Sequence, residues 1–173
     1  MGEIKIAILG LGSSWRLFKK EDYDLSIGVN DVWRNVKTDV LVCLDHAKVF
    51  SYDRLKVINE SKPKAFYSQI VNWDFRPEFR KLDFYSQYPE LVCNLNEAKY
   101  EKSFCSPFVA AQIAFKEYGA TEIHIFGVDL INHPHLDSRL CARIKKHFIN
   151  LKTALTKENC KLIIHGEGIL KDI

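Results

Sequence analysis

Hydrophobic and polar positions follow two rhythms along this chain. Short, nearly continuous apolar runs fall at 3–9, 25–29, 40–44, 65–67, 121–128 and 161–165. Runs of this length, rich in β-branched residues and bounded by turn formers, read as strands buried on both faces. Between them lie stretches with helical spacing. Val109, Ala110, Ile113, Ala114 and Tyr118 share one helical face, with Ser106 as the expected cap, Pro107 in the first turn and Gly119 as the stop. Leu140, Ile144, Phe148, Leu151 and Leu155 share another, over a long predicted helix at 138–157. A shorter helix is predicted over 47–58, and Trp15 to Asp22 reads as a short helix or turn. Strands that alternate with helices and need cover on both faces predict an α/β fold. The expected architecture is a three-layer, Rossmann-like sandwich: a mostly parallel sheet with helices on both faces and right-handed crossovers.

One stretch breaks the rhythm. From Ile70 to Lys102 the chain is aperiodic and aromatic, with Trp73, Phe75, Phe79, Phe84, Tyr85, Tyr88 and Tyr100 beside Arg76, Arg80 and Lys81. It reads either as an insertion or lid over residues 66–102 or as a plain structural excursion, with Leu91-Val92-Cys93 as an edge strand. The 173 residues otherwise predict a single Rossmann-like domain spanning 1–173.

Charge and composition narrow the function classes. Lys and Arg total 25 against 22 Asp and Glu, a net charge of +3 spread along the chain. That is too even for a dedicated nucleic-acid binder, so no nucleic-acid partner is expected. No apolar run approaches the length of a membrane span, and the first residues lack a signal-peptide pattern. Five cysteines (Cys43, Cys93, Cys105, Cys141 and Cys160) stand at scattered spacings with no CxxC pair. They read as reduced thiols in a cytoplasmic protein. Homo-oligomerisation is left open.

In an open parallel sheet, ligands bind beyond the carboxyl ends of the strands, near the switch in strand order. Several strand ends here carry polar or glycine residues. Gly10, Gly12, Ser13 and Ser14 form a turn that could bring backbone N–H groups to a phosphate, although the turn is neither GxGxxG nor a Walker loop. Its other reading is a tight turn without a ligand. Asn30 and Asp31 close the second strand, where they could meet a base, ribose or sugar hydroxyl, or cap the next turn. Asp45 follows an apolar strand and either faces a cleft or caps a helix. Ser106 could cap its helix or offer its hydroxyl to an anion at the helix N-terminus. Asp129 ends the strand before the loop that holds His133 and His135. A histidine there could act as a proton acceptor, oriented by the carboxylate, or lie solvated. No His/Cys spacing is distinctive of a metal, and none is expected. Trp15, Trp33 and Trp73 read first as packing residues, with stacking on a base or sugar as the alternative.

Three of these segments carry a family resemblance. Ile6 through Ser14, Ile27-Gly28-Val29-Asn30 and Val40 through Asp45 resemble the N-terminal half of the small Rossmann-like bacterial sialyltransferases, which use a CMP-activated sugar. They also resemble the 6-hydroxymethylpterin diphosphokinase-like and motility-associated factor proteins. Ser106 through Ala114, and Gly119 through Leu130 with its Gly-x-Asp end, are similar to the later helix and strand of those proteins. The usual Gly-x-Gly-Pro-Ser opening carries Ser13 here in place of proline. The resemblance implies a glycosyltransferase-like enzyme of bacterial or phage type. Gly10 to Ser14, Asn30 and Ser106 would line the donor site, and His135, with His133 close by, would be general base toward an acceptor hydroxyl. Tyrosines assist the leaving phosphate in that family, and Tyr85, Tyr88 and Tyr100 lie in the corresponding region. The implied partners are a nucleotide or nucleotide-sugar donor and a sugar or other hydroxyl acceptor, with no tightly bound cofactor. The diphosphokinase-like branch implies ATP and Mg instead, with Asp45 and Asp129 as metal or hydroxyl contacts. A third reading is a non-catalytic nucleotide- or sugar-phosphate-binding or structural protein.

Overall fold

In the computed structural model, residues 2–69, 73, 76–85, 93–103, 105–131 and 136–173 are described. Among them, seven strands form one sheet: β1 (Lys5–Leu9), β2 (Leu25–Val29), β3 (Val40–Val42), β4 (Ala65–Ser68), β5 (Phe79–Lys81), β6 (Glu122–Phe126) and β7 (Lys161–Ile164). Their spatial order is β5-β4-β3-β2-β1-β6-β7, and each neighbouring pair is parallel. The chain thus builds outward from β1 on one side, then returns to add β6 and β7 on the other. The α/β Rossmann-like layering expected from the sequence is the architecture found.

The period-two pattern splits the core into two layers. Ile6, Ile8, Ile27, Val40, Ile123 and Ile125 face one side, where α2 (Ser106–Tyr118) and α3 (Ser138–Lys157) cover them. Ala7, Leu9, Leu41, Phe66 and Phe126 face the other, which α1 (Tyr52–Glu60) and the short 3-10 turns cover. Both long helices are set by local chemistry. Asp137 Oδ1 accepts the Leu140 N–H (2.8 Å) to start α3. Gly119 ends α2 in the left-handed region (φ 65°), and the Ala120 N–H reaches back to the Ala114 carbonyl (3.1 Å).

Three local expectations need correction. The helix expected over 47–58 is broken, because the chain is extended at Phe50 and Ser51; a 3-10 turn at Ala47–Val49 precedes α1. Of the edge strand expected at Leu91-Val92-Cys93, Cys93 lies outside any strand and Leu91 and Val92 lie outside the described residues; one edge of the sheet is formed by Phe79–Lys81, paired with β4. Ser106 is not the cap of α2. The helix begins with Cys105 as its half-in residue, whose carbonyl accepts the Phe108 N–H (3.0 Å), so Ser106 stands inside the first turn.

Arg76 shows what part of the aromatic segment does. It is 6% exposed and donates to the carbonyls of Ile58 (2.8 Å) and Ser61 (2.6 Å), tying off the C-terminal end of α1. Tyr67 and Tyr118 share a hydrogen bond (3.3 Å), and Tyr100 donates to Glu117. Those contacts lie at the far end of α2, roughly 16 Å along the helix from Ser106 at 1.5 Å per residue. Trp73 is buried and donates to the Asp45 carbonyl (3.3 Å), while the Trp33 indole donates to Thr38 Oγ1 (3.1 Å).

On the face opposite α3, Glu122, His124 and His165 form a chain. Glu122 Oε1 lies 2.6 Å from His124 Nε2, and His124 Nδ1 lies 2.8 Å from His165 Nε2. Tyr23 Oη is 3.2 Å from the same His124 nitrogen, Lys5 and Lys161 approach Glu122, and His165 stacks on Phe126 with ring centroids 4.1 Å apart. Burial, then the neighbouring His124, lowers the His165 pKa below its ordinary 6.5. The His124 hydrogen bond, helped by Lys5 and Lys161, holds the Glu122 carboxyl below its ordinary 4.5. Both groups bind fewer protons folded than unfolded as the solution is acidified. The stability these two groups contribute is therefore fully present above 6.5, falls as pH drops through the histidine range, and falls again as pH drops through the carboxylate range. A calorimetric series of Tm against pH will show both steps, and His165→Gln will remove the first. A flat profile through the histidine range would contradict this.

Candidate functional site

The strand order reverses around β1, which has β2 on one side and β6 on the other. Beyond the carboxyl ends of these strands opens a cleft of about 780 Å³. That volume suits a ligand of nucleotide size. Its walls come from the turn after β1, the ends of β2 and β3, α1, the first turn of α2 and the chain after β6.

One wall is the glycine turn. Gly10 and Gly12 are required by how closely the turn approaches the end of β6. A Cβ on Gly10 would lie 2.3 Å from the Gly127 carbonyl oxygen, and one on Gly12 would lie 2.6 Å from an Asp129 carboxylate oxygen. Several of the turn's donors are spent there: the Gly10 N–H goes to the Phe126 carbonyl (2.8 Å) and the Gly12 N–H to that of Gly127 (2.8 Å). Asp129 completes the junction. Its Oδ1 accepts Ser14 Oγ–H (2.6 Å), and its Oδ2 accepts Ser13 Oγ–H (3.2 Å) and the Ser14 N–H (3.3 Å). Ser14 Oγ in turn accepts the Gly127 N–H (2.7 Å). Asp129 therefore staples the two strand ends together beside the cleft.

Asn30 stands at the end of β2 with φ 52°, in the left-handed region that asparagine tolerates better than most residues. Its Oδ1 is buried and accepts no hydrogen bond from the described residues. An unpaired buried carbonyl oxygen is costly unless a ligand donor satisfies it. Asp45 is exposed at the cleft, and its carboxylate takes no hydrogen bond from the described residues. The N-terminal turn of α2 presents Ser106 and Pro107, and the Ser106 hydroxyl also has no partner among the described residues. Burial pushes the neighbouring Cys105 thiol up to about 12, which makes it a poor nucleophile.

Asp31 does not line the cleft. It is 1% exposed and receives two guanidinium groups: Arg54 through Nε and Nη2, both 2.8 Å from Oδ1, and Arg34 through Nε, 2.9 Å from Oδ2. Arg54 does reach the cleft, and sequence reasoning missed it. Its signal was weak, since it is one of two basic residues on a short amphipathic helix. Glu167 also lines the cleft, beyond β7. None of the described residues of 66–102 lines it. His133 and His135, and Tyr88, fall outside the described residues.

The structure thus gathers Gly10, Gly12, Ser13, Asn30, Asp45, Ser106 and Asp129 around one cleft, with Ser14 and Asp31 as supports behind it. No helix among the described residues is long and apolar enough to cross a membrane. No family model and no curated protein matches the sequence. Among solved structures, the chain is similar to the sialyltransferase CstII from Campylobacter jejuni, solved with a substrate analogue, CMP-3FNeuAc. The match has a TM-score of 0.55 and 15% identity, and covers 92% of this chain and 79% of that one. At that identity the likeness speaks for the fold, and the chain is in its fold a distant structural relative of a bacterial sialyltransferase.

Proposed function

We propose that this protein is a nucleotide-sugar-dependent transferase whose donor occupies the cleft at the β1 switch point. The observation that carries the reading is Asn30, which lines a cleft of nucleotide size and whose buried Oδ1 has no partner among the described residues. A base amino group or a sugar hydroxyl would supply the missing donor. The fold shared with a sialyltransferase solved with a CMP-sugar analogue makes a CMP-linked donor the first choice. In the proposed reaction His135, with His133 as the neighbouring candidate, takes the proton from the acceptor hydroxyl. The acceptor oxygen bonds to the anomeric carbon, and the bond from that carbon to the phosphate oxygen breaks. The nucleotide leaves with the bonding electrons. Ser106, whose hydroxyl stands at the positive end of α2, would help to stabilise the charge on the departing phosphate. Asp129 would act by holding the glycine turn in place.

A thermal-shift panel of CMP, CDP, UDP, GDP, NAD, and ATP with and without Mg²⁺ tests the donor site. At a hundredfold excess over Kd, CMP will raise stability by about 2.7 kcal/mol, a Tm rise of roughly 5–10 °C for a chain of this size. Asn30→Gly keeps the left-handed backbone and removes only the amide. It will weaken CMP about tenfold, the worth of one hydrogen bond. A shift with ATP and Mg²⁺ alone would replace the reading by phosphoryl transfer, and no shift with any of them would remove it.

A further inference from the structure

The proposed donor is anionic, yet most charges around the cleft have the wrong sign. Asp45, Asp129 and Glu167 all line it. Among the described lining residues, Arg54 is the cation. The glycine turn, where a phosphate would first be sought, has used the N–H groups of Gly10, Gly12 and Ser14 on β6 and on Asp129. An anion placed there would lie beside the Asp129 carboxylate.

Arg54 offers the opposite environment. Its Nε and Nη2 both close on Asp31 Oδ1, and its guanidinium carbon lies 4.9 Å over the Phe50 ring. Two anchors of this kind hold the planar group in one orientation. Nη1 makes no hydrogen bond to the described residues, and the side chain is 31% exposed. Asp31 is buried and is shared with Arg34, so two positive groups meet a single carboxylate. The cluster keeps a net positive charge after pairing, directed to the cleft through Arg54.

We infer that Arg54, positioned by Asp31, is the oxyanion-binding residue of the cleft, on the wall formed by β2, β3 and α1 rather than at the glycine turn. This rests on the donor reading only for the identity of the ligand. The oxyanion is either a phosphate of the nucleotide or a carboxylate on the transferred sugar. A guanidinium suits either group, since it can present N–H donors in a fork.

The test uses the full chain labelled with ¹⁵N. The Arg54 Nε–Hε resonance, assigned by its loss in Arg54→Gln, is followed while inorganic phosphate or glucuronate is titrated at constant ionic strength. A saturable shift with phosphate supports a nucleotide phosphate as the ligand group. A shift with glucuronate alone supports a sugar carboxylate, and shifts with both support one shared oxyanion subsite. No saturable shift with either overturns the inference. Calorimetry supplies a second measure. Arg54→Lys keeps the charge but loses the fork, and will reduce the ratio of CMP to cytidine affinity about tenfold. Asp31→Asn will lower the same ratio, CMP affinity falling more than cytidine affinity, which a purely structural role would not do. An unchanged ratio in both variants also overturns the inference. If neither CMP nor cytidine binds the unmodified protein, the donor reading fails, and the phosphate and glucuronate titrations still decide the role of Arg54.

Discussion

Gly127→Ala will destabilise the protein by about 2–5 kcal/mol, a Tm fall of roughly 5–15 °C for a chain of this size. Two costs combine. Gly127 has φ 68°, where an L side chain costs about 1–2 kcal/mol. The added Cβ would also lie 2.5 Å from the Gly10 carbonyl oxygen and 3.0 Å from that of Gly12. Both contacts are backbone, so no rotamer change relieves them, and overpacking of this kind costs about 1–3 kcal/mol. The strand ends must part, and they form the wall of the cleft. Urea unfolding will report the lost stability, and CMP titration will report a loss of affinity in the fraction that remains folded. A variant with unchanged Tm would mean that the turn and the β6 end are not packed as described.

Asp129→Ala will cost about 2–4 kcal/mol, since hydrogen bonds to a charged group contribute about 1.5–3 kcal/mol where they are well formed. The substitution takes the acceptor from Ser13 Oγ, Ser14 Oγ and the Ser14 N–H together. Stability and ligand affinity will fall together, because the same carboxylate fixes the turn. If instead stability holds and only turnover collapses, Asp129 acts on the acceptor proton and not as a staple. Paired measurements of denaturation midpoint and nucleotide affinity separate the two.

Much of the sheet was legible from residue types alone. Leu25–Val29 and Ser138–Lys157 form where the apolar pattern predicts them, because each makes its element from its own sequence and buries one continuous set of side chains. Phe79–Lys81 was not legible. It is short, its Arg80 and Lys81 are exposed, and it is a strand only because β4 offers an edge. Ser106 was misplaced by one position for a similar reason: the start of α2 is set by the Cys105 carbonyl and not by a hydroxyl cap. At the cleft, Asn30 and Asp45 could be located as polar residues after apolar strands. The roles of Asp31 and Arg54 could not. They depend on a contact across 23 positions, and nothing in local pattern says which of several arginines a buried carboxylate will take.

The sheet grows in sequence order only as far as β5. β1 meets β2 within the first thirty residues, but its other edge stays open until β6 arrives, and the junction from Ile4 to Thr121 closes a span of 117 positions. Closing so long a loop is entropically costly and slow relative to local pairing. Until then a partly folded chain presents Lys5–Leu9 as a bare strand edge with open backbone donors and acceptors, the kind of surface on which chains aggregate or chaperones act. Docking of β6 ends that exposure, and the same event brings Asp129 to the serines and creates the cleft wall. During synthesis, that junction cannot form before Asp129 has left the ribosome. Ligand binding is therefore gained at the late step that covers the open edge of β1, and a ligand present at that moment would draw folding intermediates toward the finished protein.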